Sequence, residues 1–114
     1  MLLQQQLRVI GFTQIDHATD GAEGLRMMEK HYYDIAIVDW MMPVMDGLSF
    51  IKSCTKDEKF SRCGFIVLSS ESEKNMVENV LKSGASAYLT KPASKEDLHK
   101  TIDSVIDSLE NEMR

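Results

Sequence analysis

Two short apolar runs, Ile35-Ala36-Ile37-Val38 and Phe65-Ile66-Val67-Leu68, constrain this chain more than any other feature of it. Four consecutive apolar residues rich in β-branching read as a strand covered on both faces, as in a parallel sheet. The first run drives directly into an acid, Asp39, and a loop with Pro43 and Gly47 follows. The second ends in small polar residues, Ser69 and Ser70. Open parallel sheets bind and react at the carboxyl ends of their strands, which is where Asp39 falls. The plainer reading of Asp39 is a carboxylate that caps the next turn.

The segments between these runs read as helices, in strict alternation with strands. Leu2, Leu3, Leu7, Val9 and Ile10 give residues 2–10 an amphipathic spacing, and Gly11 reads as the stop. Thr13–Ala18 alternates weakly and reads as a short strand. Asp20-Gly21 is a turn signal. Ala22, Leu25 and Met28 then mark a helix to about His31. Gly47 opens a third helix carrying Leu48, Phe50 and Ile51 as far as Cys54. Residues 55–63 are a polar loop whose charges are better read as solvated than functional. A fourth helix puts Met76, Val77, Val80 and Leu81 on one face and stops at Gly84. Ala85–Thr90 is a last short strand before Lys91-Pro92. Ser94 and Asp97 look like a capping pair for a fifth helix striped by Leu98, Ile102, Val105, Ile106 and Leu109. The order αβαβαβαβα predicts an α/β fold with parallel strands and right-handed crossovers.

Composition excludes several classes. A length of 114 residues suits one domain. The net charge of −5 argues against a nucleic-acid surface, which needs an excess of Lys and Arg. No apolar run approaches the roughly 20 residues of a membrane span. The first residues, MLLQQQLRVIG, carry neither the basic region nor the cleavage site of a signal peptide. Cys54 and Cys63 form no ligand pattern and read as reduced thiols of a cytoplasmic protein. His17, His31 and His99 are scattered and suggest no metal site.

Three strands thus end in Asp39, Ser69 and Lys91, and in a parallel sheet these ends share one edge. A carboxylate, a hydroxyl and an ammonium in one place suit phosphoryl chemistry. The carboxylate can act as nucleophile and form an acyl phosphate. The hydroxyl and ammonium can bind the phosphoryl oxygens, where charge accumulates in the transition state. A divalent cation, normally Mg²⁺, belongs in such a site. A Lys–Asp ion pair beside a turn serine is the alternative.

At these residues the chain resembles the receiver domain of two-component response regulators, and most of all the single-domain chemotaxis type. DWMMPVMDG (Asp39–Gly47) resembles the phosphoacceptor motif and its loop; Leu68-Ser69-Ser70 and GASAYLTKP (Gly84–Pro92) resemble two further motifs in register with it. The resemblance implies a doubly wound, flavodoxin-like fold. It implies that Asp39 accepts a phosphoryl group from a histidine kinase or phosphotransfer protein and that Ser69 and Lys91 bind that group. It also implies a cis Lys91-Pro92 bond, Ser69 and Tyr88 as switch residues, and metal ligands in Asp39 and the Met41 backbone carbonyl. Output would pass to a downstream protein through the face formed by the fourth helix, last strand and fifth helix. For Tyr88 the plainer reading is a half-buried strand tyrosine.

Against the family pattern, an opening strand ending in two acids is expected and does not precede the helix at residues 2–10. Asp16, Asp20 and Glu23 align with other family positions and cannot replace that pair. The expectation is therefore a four-stranded, N-terminally truncated receiver over residues 1–114, with weakened Mg²⁺ binding and impaired phosphorylation. Unpaired backbone at the gap would favour closure or a strand-paired or swapped homodimer. A phosphorylation-independent interaction module is the competing function. A phosphatase of the haloacid dehalogenase type would need an acid where Met41 stands.

Overall fold

The computed structural model describes residues 2–39, 47–56, 60, 63–70 and 74–112. Its centre is a parallel sheet of three strands in the order β1-β2-β3: β1 (Ile35–Asp39), β2 (Gly64–Ser69) and β3 (Ala87–Thr90). Ile35 pairs with Gly64 and Asp39 with Leu68, while Ile66 pairs with Ala87 and Ser69 with Thr90. The strands therefore finish within about one residue of each other, along one edge.

Helices cover both faces, so the fold is doubly wound α/β. On one face, Met28 of α2 (Gly21–Lys30), Phe50, Ile51 and Cys54 of α3 (Gly47–Thr55) and Val80 of α4 (Lys74–Lys82) pack with Val38, Phe65 and Val67. On the other, Leu98, Ile102 and Val105 of α5 (Lys95–Glu112) enclose Ile66, joined by Leu3, Leu7 and Ile10 of α1 (Leu2–Ile10). Alternate residues of each strand serve opposite faces, the period-two rule of a pleated strand.

Local chemistry ends and starts these helices as their sequences imply. Gly11 follows α1 at φ +130°. The Gly11 N–H donates to the Arg8 carbonyl at 3.1 Å and the Phe12 N–H to the Leu7 carbonyl at 3.0 Å, the bond pattern of a Schellman stop. Phe12 and Leu7 then share one apolar cluster, which seals the turn. Asp20-Gly21, expected as a turn, is the start of α2, where Asp20 Oδ1 accepts the Glu23 N–H at 2.8 Å. Ser94 caps α5 as expected, its Oγ accepting the Asp97 N–H at 3.0 Å.

Three expectations need correction. Thr13–Ala18 is not a strand, so the described residues hold three strands where four were expected. A strand exists by exchanging backbone hydrogen bonds with a neighbour, and no described strand pairs with this segment. Side chains secure it instead: Phe12 in the α1–α5 cluster, and Asp16, whose Oδ2 accepts the Tyr33 hydroxyl at 2.6 Å. Leu81 is not on the inner face of α4; it is 45% exposed, whereas Val80 is fully buried. The inner stripe of a helix is narrower than a run of four apolar residues suggests. Finally, the two apolar runs are not equally covered. Every residue of β2 except Leu68 is buried, but in β1 Ile35, Ala36 and Ile37 are only partly buried and Val38 alone is fully so. β1 is an edge strand among the described residues, and an edge loses one flank of cover.

No helix among the described residues is long and apolar enough to cross a membrane.

Candidate functional site

The site is assembled from the strand ends. Asp39 closes β1, Ser69 closes the central β2, and Lys91 follows the last residue of β3. With β2 between them, Asp39 and Lys91 stand about two strand spacings apart, roughly 10 Å at the backbone. The lysine side chain crosses that interval: Lys91 Nζ donates to Asp39 Oδ2 at 2.7 Å. Both side chains keep some water contact, 39% exposure for Lys91 and 46% for Asp39. An ion pair of that exposure adds little stability, so what it shows is placement.

Ser69 is 3% exposed, a rare polar residue inside this core. Its carbonyl accepts the Lys91 N–H at 2.7 Å, so the backbone carrying the lysine is tied to the serine. Ser69 has the strand parity of Phe65 and Val67 and so belongs to the α2–α3–α4 face of the sheet. Tyr88 packs on that same face, half buried, and pairs in register with Val67. Serine and tyrosine are therefore diagonal neighbours on one side of the sheet, one strand apart. Tyr88 also lines a cleft of about 730 Å³ beside α5, with Lys100, Thr101 and Ser104 on its far wall.

Behind Lys91 the chain turns through a cis Lys91-Pro92 bond, as expected from the resemblance. Of the residues singled out from sequence, Asp39, Ser69 and Lys91 lie at or next to the strand ends, and Tyr88 lies within β3, two residues before its end. Met41 lies outside the described residues. Sequence reasoning passed over Gln6, whose Nε2 donates to the Ala93 carbonyl at 3.1 Å, just beyond Lys91 and Pro92. Its one signal was position: Gln6 sits on the flank of the helix face that carries Leu3, Leu7 and Ile10, where an amide needs a partner.

The ends of β1, β2 and β3 carry one carboxylate. No group of three or more His, Cys, Asp or Glu side chains able to hold a metal ion occurs among the described residues. A magnesium ion prefers six oxygen ligands, so these residues alone do not make a protein cage for it.

Residues 1–103 match the response regulator receiver domain, and the chain belongs to that family. It is similar to a probable chemotaxis protein CheY of Rhizobium etli, 30% identical over 109 residues, spanning 96% of this chain and 84% of that one. Among solved structures it resembles the receiver domain of a sensor histidine kinase from Pseudomonas aeruginosa, at 27% identity and a TM-score of 0.84, covering 93% of this chain and 86% of that one. That structure holds a magnesium ion coordinated in its active-site cleft. The Vibrio cholerae chemotaxis protein CheY4 is 29% identical with a TM-score of 0.83, over 91% and 86% of the two chains.

Proposed function

We propose that this receiver domain accepts a phosphoryl group on Asp39 from the phosphohistidine of a histidine kinase or phosphotransfer protein and passes the change to a downstream protein. The observation that carries this reading is the 2.7 Å bond from Lys91 Nζ to Asp39, made across the end of the central strand. A carboxylate oxygen attacks phosphorus in line, the P–N bond to imidazole breaks, and the imidazole leaves with that electron pair. The Lys91 ammonium, already at the acceptor, exchanges its bond to the carboxylate for one to a phosphoryl oxygen. Ser69 can donate its hydroxyl to another. The movement that follows would reach Tyr88 on the same sheet face and open to a protein partner the surface of α4, β3 and α5. Met41 would offer its backbone carbonyl to Mg²⁺.

With Asp39 as the one strand-end carboxylate among the described residues, Mg²⁺ would keep most of its ligands as water and bind weakly, so phosphorylation would need high magnesium. Acetyl phosphate or beryllofluoride with Mg²⁺ tests both parts. A saturable change in fluorescence or NMR spectrum, abolished by Asp39→Asn and half-complete only at elevated magnesium, is the expected result. No change at any magnesium concentration refutes phosphoryl acceptance.

A second reading rests on β1, an edge strand among the described residues whose Ile35, Ala36 and Ile37 are only partly buried. An unprotected edge can pair with a strand of another copy, and assembly rather than phosphorylation would then be the function. Light scattering separates the two: a dimer unaffected by Asp39→Asn favours assembly, and a monomer over the micromolar range excludes it.

A further inference from the structure

We infer that Gln6 is a positioning residue for Lys91, acting through the loop that joins β3 to α5. The inference rests on the phosphoacceptor reading of Asp39 and adds to it a part played by α1. The loop has three tethers. At its start the Lys91 N–H donates to the Ser69 carbonyl at 2.7 Å, which fixes where the lysine leaves the sheet. At its end Ser94 is held as the α5 cap, its carbonyl accepting the Leu98 N–H at 2.9 Å and its Oγ accepting from Asp97. Between them, Pro92 has no N–H to offer, and the Ala93 carbonyl precedes the helix and lies outside its ladder. Gln6 serves that carbonyl from a part of the chain 87 residues away.

The assignment of the amide is forced by its partner, since a carbonyl accepts only and the nitrogen must face it. α1 in turn packs its Leu3, Leu7 and Ile10 into the cluster formed by α5 and Ile66. The helix that carries Gln6 and the helix that follows the loop are thus one packed layer. A group anchored in that layer holds the middle of the loop, two residues from the cation. Gln6 touches neither the acceptor nor the incoming phosphoryl group. Its effect is on where the Lys91 ammonium stands.

The test compares Gln6→Met, of similar length but without a donor, and Gln6→Lys, which keeps one. The readouts are the NMR signal of the methylene beside the Lys91 ammonium and the initial rate of phosphorylation by acetyl phosphate. In Gln6→Met the Lys91 signal should move toward that of an unrestrained lysine and the rate should fall about fivefold, as expected for one lost neutral hydrogen bond. Gln6→Lys should restore both to within about twofold. A purely structural role would lower the melting temperature while leaving the Lys91 signal in place, and that outcome overturns the inference. If Gln6→Met does not fold, the side-chain amide protons of Gln6 in the unmodified protein decide: protection from exchange supports the bond, and solvent-like exchange refutes it. Should the unmodified protein accept no phosphoryl group, the proposed function fails, and the Lys91 signal still decides the positioning role.

Discussion

Lys91 and Asp39 show how little a bond's energy and its purpose need agree. Because both side chains are more than a third exposed, removing the ammonium in Lys91→Ala should change unfolding stability by no more than about 1 kcal/mol. Phosphorylation should fall about a hundredfold, because the cation faces charge that develops only in the transition state. A urea titration alongside acetyl phosphate kinetics checks both halves. Gly64 is the opposite case, a residue that matters to packing alone. A Cβ there would collide with Val105 Cγ1 and come within 3.1 Å of Ile35 Cδ1 and 3.2 Å of Leu109 Cδ1. Gly64→Ala should cost about 1–3 kcal/mol in the same titration, as overpacked core positions do. Asp39, Ser69 and Lys91 were legible in the sequence because strand ends follow from apolar runs, and the ends of parallel strands converge. Gln6 to Ala93 and Tyr33 to Asp16 were not. Each joins a side chain to a group that only the folded chain brings near.

Among elements, the two apolar runs were read correctly as strands, though not in their equal cover, and the glycine stops were read correctly from local chemistry. The failure at Thr13–Ala18 is physical: a strand is a relation between two segments, and alternation in one of them cannot supply the other. What now fixes that segment beyond its turn at Phe12 is the Tyr33 hydroxyl on Asp16. The same bond, then partial burial, then the charge of Asp16, push the Tyr33 hydroxyl up to about 12. Tyr33→Phe should leave the melting temperature nearly unchanged but lower the backbone NMR order parameters of residues 13–18, whose position the bond restrains. The bond lies in a locally opening region rather than in the core. Equal order parameters in the two proteins would show that the segment is held by something else.

At the level of the whole molecule, both thiols of the chain are buried in the cluster between the sheet and α3. Burial pushes Cys54 and Cys63 up from 9.0 to about 12; at Cys63 the neighbouring Cys54 and Asp34 add to the rise and a backbone hydrogen bond at Ala36 offsets part of it. Folding therefore favours the protonated thiol. Below about pH 9 both states hold the protons, and the contribution to stability is complete. Between about pH 9 and pH 12 the unfolded chain releases them while the folded chain retains them, so stability falls as pH rises. Each thiol adds a slope of up to about 1.4 kcal/mol per pH unit in that window. A Cys54→Ala, Cys63→Ala double variant should show a distinctly shallower alkaline decline in urea titrations, with Tyr33 supplying part of what remains.

The half-covered β1 has a further consequence, for the behaviour of concentrated solutions. Among the described residues, Ile35-Ala36-Ile37-Val38 presents an outer edge with no lysine, proline or inward charge to repel a like edge. Storage life should therefore be limited by encounters between folded molecules, not by unfolding. Loss of soluble protein should rise more steeply than in proportion to concentration, while added stabilisers of the native state leave it unchanged.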